Sequence, residues 1–295
     1  MTKAAMITIC GRPNVGKSTL TNALVGEKVA IVSPKPQTTR NRIIAIVERG
    51  ETQFVLMDTP GIHKPRTKLG DYMVNVVRES VADVDCVLMM VEPAASVGPQ
   101  EEALIERLKE TGSPAILVIN KIDTVEKGKL LEVIALYSAA YEFDAVIPVS
   151  ARTGDGLDEL LTEMEKYAAE GPHFFPDDMI TDQPERQICA ELVREKLLRC
   201  LDKEIPHGTA VEVTKFSERE NGVVDIDVTI YCEKDSHKGI VIGKKGAMLK
   251  KIGELAREDM EAFLGTKVFL QTWVKVKENW RDSMAQLRNF GYQNE

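Results

Sequence analysis

Short, unbroken apolar runs recur along the first 170 residues: AAMITIC, RIIAIV, QFVLMD, DCVLMMVE, AILVIN and AVIPVS. Runs of this length with no polar alternation predict strands buried on both faces. Between most of them lie STLTNALVGE, QEEALIERLKE, KLLEVIALYSAA and GLDELLTEMEKYA, whose apolar residues recur at helical spacing. The alternation predicts an α/β domain over residues 1–170, a mostly parallel sheet with helices on both faces. One connection is too short for a crossover helix. RIIAIVERG and QFVLMD are joined by Glu51 and Thr52 after a glycine, so these two strands should pair antiparallel at one edge.

The pattern breaks at residues 171–186, GPHFFPDDMITDQPER, where three prolines and no periodicity predict a linker. Beyond it the periodicity gives a helix over 187–204, strands over 209–217 and 223–233, an apolar turn with a lysine loop, a helix over 246–264, a strand over 267–276 and a final helix. Residues 187–295 are thus predicted to form a second, smaller α+β domain.

Charge sharpens this division. Residues 184–295 carry 19 Lys+Arg and 19 Asp+Glu, so the whole net charge of −8 falls in the first 183. That balance argues against non-specific nucleic-acid binding. Yet from Lys238 to Lys251 there are five lysines and no acid, which leaves room for one specific anionic partner. No apolar run reaches the ~18–20 residues of a membrane span, and the N-terminus reads as no signal peptide. The five cysteines (Cys10, Cys86, Cys189, Cys200 and Cys232) form no CxxC pair and predict reduced core thiols, as in a cytosolic protein.

The chemistry begins where the first strand ends. Gly11-Arg12-Pro13-Asn14-Val15-Gly16-Lys17-Ser18 fits the P-loop pattern GxxxxGK[ST], and Thr19 follows as the helix opens. Glycines let backbone N–H groups wrap phosphate oxygens, and the helix N-terminus adds partial positive charge. Lys17 is placed to neutralise the β- and γ-phosphates, and the Ser18 hydroxyl to hold Mg²⁺. Asn120-Lys121-Ile122-Asp123 closes the strand AILVIN. There a carboxylate at Asp123 accepts from both guanine donors, and adenine would leave it unpaired, so the nucleotide is GTP. Ser150 and Ala151, ending the next strand, are expected to offer a backbone contact to the guanine carbonyl. Asp58-Thr59-Pro60-Gly61 closes QFVLMD, where Asp58 can reach Mg²⁺ through a water and the Gly61 N–H can meet the γ-phosphate. Upstream, a threonine of Gln37-Thr38-Thr39-Arg40 can bind Mg²⁺ while the γ-phosphate is present; we favour Thr39 over Thr38.

These elements, in this order, resemble the GTPase superfamily of P-loop proteins. GRPNVGKS with QTTR and DTPG is similar to its translation-factor-related bacterial class. Ile62 stands where Ras-like members carry the glutamine that orients water, so intrinsic hydrolysis should be slow. His63 next to it reads as solvent-facing rather than as a base. In potassium-activated relatives an asparagine in the place of Asn14 holds K⁺ near the phosphates. The resemblance therefore implies either that role for Asn14 or one of shaping the loop.

With the nucleotide site complete, the lysine loop is free for another anion. Ile240-Val241-Ile242-Gly243-Lys244-Lys245-Gly246, with Lys250 and Lys251 beyond, is similar to the GxxG segment of a type II K-homology domain, which clamps single-stranded nucleic acid. Its glycines allow close phosphate approach and Lys244 and Lys245 supply charge. The apolar trio, with Leu249 and Ile252, is expected to line a groove for bases. A GTPase domain, a linker and this domain together resemble the Era family over almost the whole chain, including the tail VKVKENWRDSMAQLRNFGY. The resemblance implies a monomer that binds near the 3′ end of small-subunit ribosomal RNA and acts in small ribosomal subunit assembly. It also implies a cytoplasmic location with loose attachment to the inner membrane face. A passive RNA-binding assembly protein with a structural nucleotide site, and a P-loop phosphotransferase, are the competing readings.

Overall fold

The computed structural model describes residues 1–61, 65–81, 84–94 and 96–292. It divides into two compact units. The first comprises Met1–Ala30, Thr39–Pro65 and Met73–Asp182; the second comprises Ile31–Thr38, Arg66–Tyr72 and Gln183–Glu295.

In the first unit the strands are β1 (Lys3–Gly11), β2 (Ile43–Arg49), β3 (Thr52–Asp58), β4 (Cys86–Val91), β5 (Ala115–Ile119), β6 (Ala145–Pro148) and β7 (Ala169–Glu170). They form one sheet in the order β2-β3-β1-β4-β5-β6, with β7 pairing antiparallel to the start of β1. The β2–β3 pair is antiparallel and lies at the edge, as its short connection predicts. The remaining pairs of the main path are parallel. Every residue of β3, β4 and β5 is buried, which is why these strands read as unbroken apolar runs. Helices α1 (Lys17–Val25), α2 (Lys68–Ser80, of which Met73 onward belongs to this unit), α3 (Pro99–Thr111), α4 (Lys127–Ala140) and α5 (Leu157–Met164) complete the chain order. Successive residues of β4 serve opposite faces of the sheet. Leu88 and Met90 join the core that contains Leu20 and Leu160, while Val87, Met89 and Val91 join the core that contains Leu108 and Tyr137. α3 opens with Gly98 and Pro99 and closes at Gly112 with φ 64°, the usual punctuation of a helix.

The predicted linker belongs largely to the first unit. Gln53 exchanges two hydrogen bonds with the Phe175 backbone, at 2.9 and 3.0 Å, and Ile46 N–H donates to the Ile180 carbonyl at 2.9 Å. The segment covers the outer edge of β2, where open ladder groups need partners. Its prolines suit an edge that need not donate.

The second unit contains α6 (Glu185–Cys200), β8 (Thr209–Glu218), β9 (Val224–Cys232), α7 (Asp235–Ile242), α8 (Ala247–Leu264), β10 (Val268–Val276) and α9 (Met284–Asn289). Its sheet runs β10-β9-β8, with β10 parallel and β8 antiparallel to β9. Ile226, Val228 and Ile230 of β9 pack with Val193 and Leu197 of α6 and Ile252 and Ala256 of α8. The segment 31–38 is held by α6 through polar contacts. The fully buried Glu195 accepts from Val32 N–H at 2.9 Å, Arg199 donates to the Val32 carbonyl at 2.9 Å, and Arg194 donates to the Thr38 carbonyl. α2 and α7 are absent from the sequence reading. In α7 the run GIVI, with a glycine inside, resembles a strand end more than a helix.

Candidate functional site

β1 ends at Gly11 and α1 begins at Lys17, so the P-loop is the turn between them. Asn14 (φ 66°) and Gly16 (φ 104°) both take positive φ. At Gly16 a side chain is also excluded by space, since a Cβ would lie 2.2 Å from Asn120 Nδ2. The Lys17 ammonium curls back over the turn, donating to the carbonyls of Gly11 at 3.1 Å and Arg12 at 3.0 Å. Burial pulls its pKa down, with the Asp58 carboxylate opposing. Burial pushes the neighbouring Cys10 thiol up to about 12, which makes it an inert core group. Arg12 is anchored by an ion pair to the buried Glu101 of α3. Val15 is fully buried beneath the turn.

Oxygen atoms from three segments converge below Lys17. Ser18 Oγ donates to Asp58 Oδ2 at 2.7 Å and lies 2.9 Å from Thr39 Oγ1. Thr38 points elsewhere, its hydroxyl donating to the Lys35 carbonyl at 2.7 Å. Asp58 is fully buried, and burial lifts its pKa to about 6. Among the described residues its Oδ1 has no hydrogen-bond partner, an expense that buried carboxylates rarely carry without a ligand. Two hydroxyls and an orphaned carboxylate oxygen are a hard-oxygen set that fits Mg²⁺. Thr59 is structural, donating to the Ile9 carbonyl at 2.8 Å. After the buried Pro60, Gly61 brings the backbone against the P-loop, where a Cβ would lie 2.7 Å from Pro13 N and Cα. Ile62 and His63 lie outside the described residues.

The third element joins loops after β5 and β6. Asn120 ties them to the P-loop: Nδ2 donates to the Val15 carbonyl at 2.8 Å and Oδ1 accepts from Ala151 N–H at 3.0 Å. The Ala151 N–H, within the segment expected to offer a backbone contact to guanine, donates to Asn120 here. Lys121, at φ 65°, reaches the Asn14 carbonyl at 2.7 Å and pairs with Glu92. Asp123 Oδ1 accepts from the Ser150 hydroxyl at 2.7 Å, and Oδ2 pairs with Arg152. The Ser150 hydrogen bond leads in holding the Asp123 carboxyl below the usual carboxylate range. Arg152, Glu92 and Glu101 belong to none of the motifs in the sequence. For Arg152 a signal existed, because a cation directly follows Ser150-Ala151.

In the second unit the lysine loop joins α7 to α8. Gly243 adopts φ 72°, ψ 178°, Lys245 φ 52°, ψ 30°, and Gly246 φ 81°, ψ 5°, so the chain reverses within four residues. Lys244, Lys245, Lys250 and Lys251 are all exposed. The expected apolar groove needs correction. Val241 and Ile252 are fully buried in the domain core, so they pack beneath the loop instead of lining it. A helix sends successive residues to different faces, and this leaves Ile240 exposed and Ile242 and Leu249 half-buried for contact.

Known families match both units. Residues 6–121 match the 50S ribosome-binding GTPase family and residues 204–281 the KH domain family. The chain is 53% identical to GTPase Era of Ruminiclostridium cellulolyticum, over 98% of this chain and 97% of that one. It is 51% identical to GTPase Era of Clostridioides difficile, over 99% of each. It is similar along its whole length to the crystal structure of Era in complex with MgGDPNP and nucleotides 1506–1542 of 16S ribosomal RNA, with a TM-score of 0.96 and 38% identity. A variant of Aquifex aeolicus Era bound to GDP and AlF₄⁻ matches 99% of this chain and all of that one, at TM-score 0.95 and 38% identity. No helix among the described residues is long and apolar enough to cross a membrane.

Proposed function

Since the chain belongs to the Era family of GTPases, we propose that it uses GTP binding and hydrolysis to govern its hold on the 3′ end of small-subunit ribosomal RNA during assembly of that subunit. The observation that carries this reading is the pairing, in one chain, of the hard-oxygen set beneath Lys17 with the exposed GKKG turn. A relative that matches it end to end was solved holding both MgGDPNP and that RNA.

In this reading the turn from Gly11 to Thr19 wraps the phosphates with backbone N–H groups, and Lys17 shifts from its carbonyl partners onto the β- and γ-oxygens. Ser18 and Thr39 would hold Mg²⁺ directly and Asp58 through a water. When bound, the metal neutralises charge that develops between the β- and γ-phosphates. Gly61 offers its N–H to the γ-phosphate from a backbone position already against Pro13. Asp123, oriented by Ser150, accepts from the two guanine donors, and Asn120 and Lys121 keep that loop registered to the P-loop. Lys244 and Lys245 pair with RNA phosphates while Ile240 and Ile242 face bases.

Asn14 has two competing roles. Its positive φ and its carbonyl's bond to Lys121 suit loop shaping, whereas its side chain suits a K⁺ ligand. Faster hydrolysis in K⁺ than in Na⁺, abolished by Asn14→Ala, would assign the cation role. Equal rates would assign loop shaping. The reading also takes the chain as a monomer attached peripherally to the inner membrane face. Light scattering and co-sedimentation with anionic vesicles test these two points. For the main proposal the test is a crosslinking map of the GTP-loaded protein on small subunits. Crosslinks from the segment around Lys244 to the 3′ end of 16S RNA are expected, and crosslinks confined to other regions would overturn it.

A further inference from the structure

The sheet of the second unit uses one face for its core; the other presents aromatic rings among cations. The strand register places Phe269, Asp225 and Ser217 in one row across that face, then Gln271, Asp227 and Lys215, then Trp273 beside the buried Thr229 and the half-buried Glu212. Phe269 is 47% exposed and Trp273 42%, both on the edge strand β10. Their strand positions differ by four, so the rings stand on the same face ~13 Å apart.

Charge on this face is layered. Asp225 is recessed and capped by two cations, Arg219 at 2.6 Å and Lys215 at 3.2 Å. Glu212 is engaged by the Tyr231 hydroxyl at 2.8 Å. Asp227 is half-buried between Gln271 and Lys215. The reaching groups are Lys215, Arg219 and the exposed Lys275, and the Arg219 guanidinium lies 5.2 Å from the Phe269 ring centroid. Cations beside part-exposed rings complement an unpaired base with its phosphate, the base on Phe269 stacking on the side away from Arg219 or displacing it. An apolar protein partner would instead have to cover Lys215, Arg219 and Lys275.

We propose that this open sheet face is a second RNA-contacting surface, where unpaired bases stack on Phe269 and Trp273 while Lys215, Arg219 and Lys275 meet phosphates. The proposal rests on the RNA-binding reading of this unit and extends it beyond the lysine loop. A KH loop clamps about four nucleotides, so a longer strand has chain left over for another platform.

The test uses the full-length protein with a long unstructured oligoribonucleotide and with a tetranucleotide. Of the two tryptophans, Trp280 is fully buried, so RNA quenching of fluorescence reports on Trp273. We expect the long RNA to quench and the tetranucleotide to leave the signal unchanged. Phe269→Ala with Trp273→Ala should weaken the long RNA at least about fivefold, the low end for losing one stacked base, with the tetranucleotide unaffected. Lys275→Glu, which spares both rings, should weaken the long RNA in the same direction. Long-RNA affinity unchanged in both variants, with no quenching, would overturn the second surface while the lysine loop stands. Failure of either RNA to bind the unaltered protein would overturn the RNA-binding reading itself.

Discussion

The two glycines of the lysine loop should respond very differently to the same substitution. Gly243 sits at φ 72°, ψ 178°, a region open only to glycine, and a Cβ there would lie 2.7 Å from Met248 Cβ and 3.0 Å from Met248 N. Neither neighbour can swing away, because one is backbone and the other is fixed to it. Gly243→Ala therefore combines backbone strain of about 1–3 kcal/mol with overpacking of about 1–3 kcal/mol, roughly 2–6 kcal/mol together. Gly246 sits at φ 81°, ψ 5° with nothing within 4 Å of a Cβ. Gly246→Ala should cost only the left-handed penalty of about 1–2 kcal/mol, and Gly246→Asn less. Both tryptophans lie in the second unit, so urea titration followed by tryptophan fluorescence reads its unfolding selectively. Gly243→Ala should also lose most RNA affinity, because Lys244 and Lys245 are aimed by that turn, with GTP affinity unchanged. Equal costs at the two positions, or full RNA affinity in Gly243→Ala, would show that the Gly243 turn neither carries the strain nor aims the lysines.

Asp123→Asn replaces a charged acceptor pair by one acceptor and one donor. GTP affinity should fall roughly 10- to 100-fold and xanthosine triphosphate should gain, as a nucleotide competition assay would read; an unchanged preference contradicts the base pocket. His173 faces acceptors on both ring nitrogens, Asp177 Oδ1 at 2.8 Å and the Glu51 carbonyl at 3.2 Å, which raise its pKa above 6.5, Asp177 foremost. The imidazolium tether of this segment is therefore at full strength below pH 6.5 and fades as pH rises through the raised value; a ring-proton NMR titration midpoint at or below 6.5 would contradict it. Cys10, Cys86, Cys189 and Cys232 are buried and Cys200 is partly exposed, so a thiol reagent should modify one cysteine quickly in the native protein and five after unfolding.

The elements of the candidate nucleotide site were legible because their determinants are local. A P-loop between strand and helix, Asp58 at the end of β3 and Asn120-Lys121-Ile122-Asp123 after β5 each announce themselves within a few residues. Tertiary context decided the rest. The proline-rich segment 171–182 lacks periodicity because it lies along the edge of β2 through backbone groups, which leave no side-chain pattern. α7 was hidden by Gly239 and the β-branched residues of GIVI, and its burial comes from packing with α8 and β10. Val241 followed from that omission: read as part of a turn it would face RNA, but on a helix it faces the core. The Arg152–Asp123 pair depends on where a long side chain folds back, and spacing does not encode that.

In the proposed function, RNA on the lysine loop and GTP on the P-loop are linked through one chain. Single-turnover hydrolysis of GTP, with and without an RNA of the 16S 3′ end, tests it directly in the unaltered protein and in Lys244→Asp with Lys245→Asp. Two phosphate-facing cations become anions in that variant, so short-range attraction changes sign while the turn glycines are kept. RNA should accelerate hydrolysis in the unaltered protein, and the variant should lose this acceleration while its basal rate and GTP affinity stay the same. Equal acceleration in the two proteins, with RNA affinity retained by the variant, would contradict the linkage.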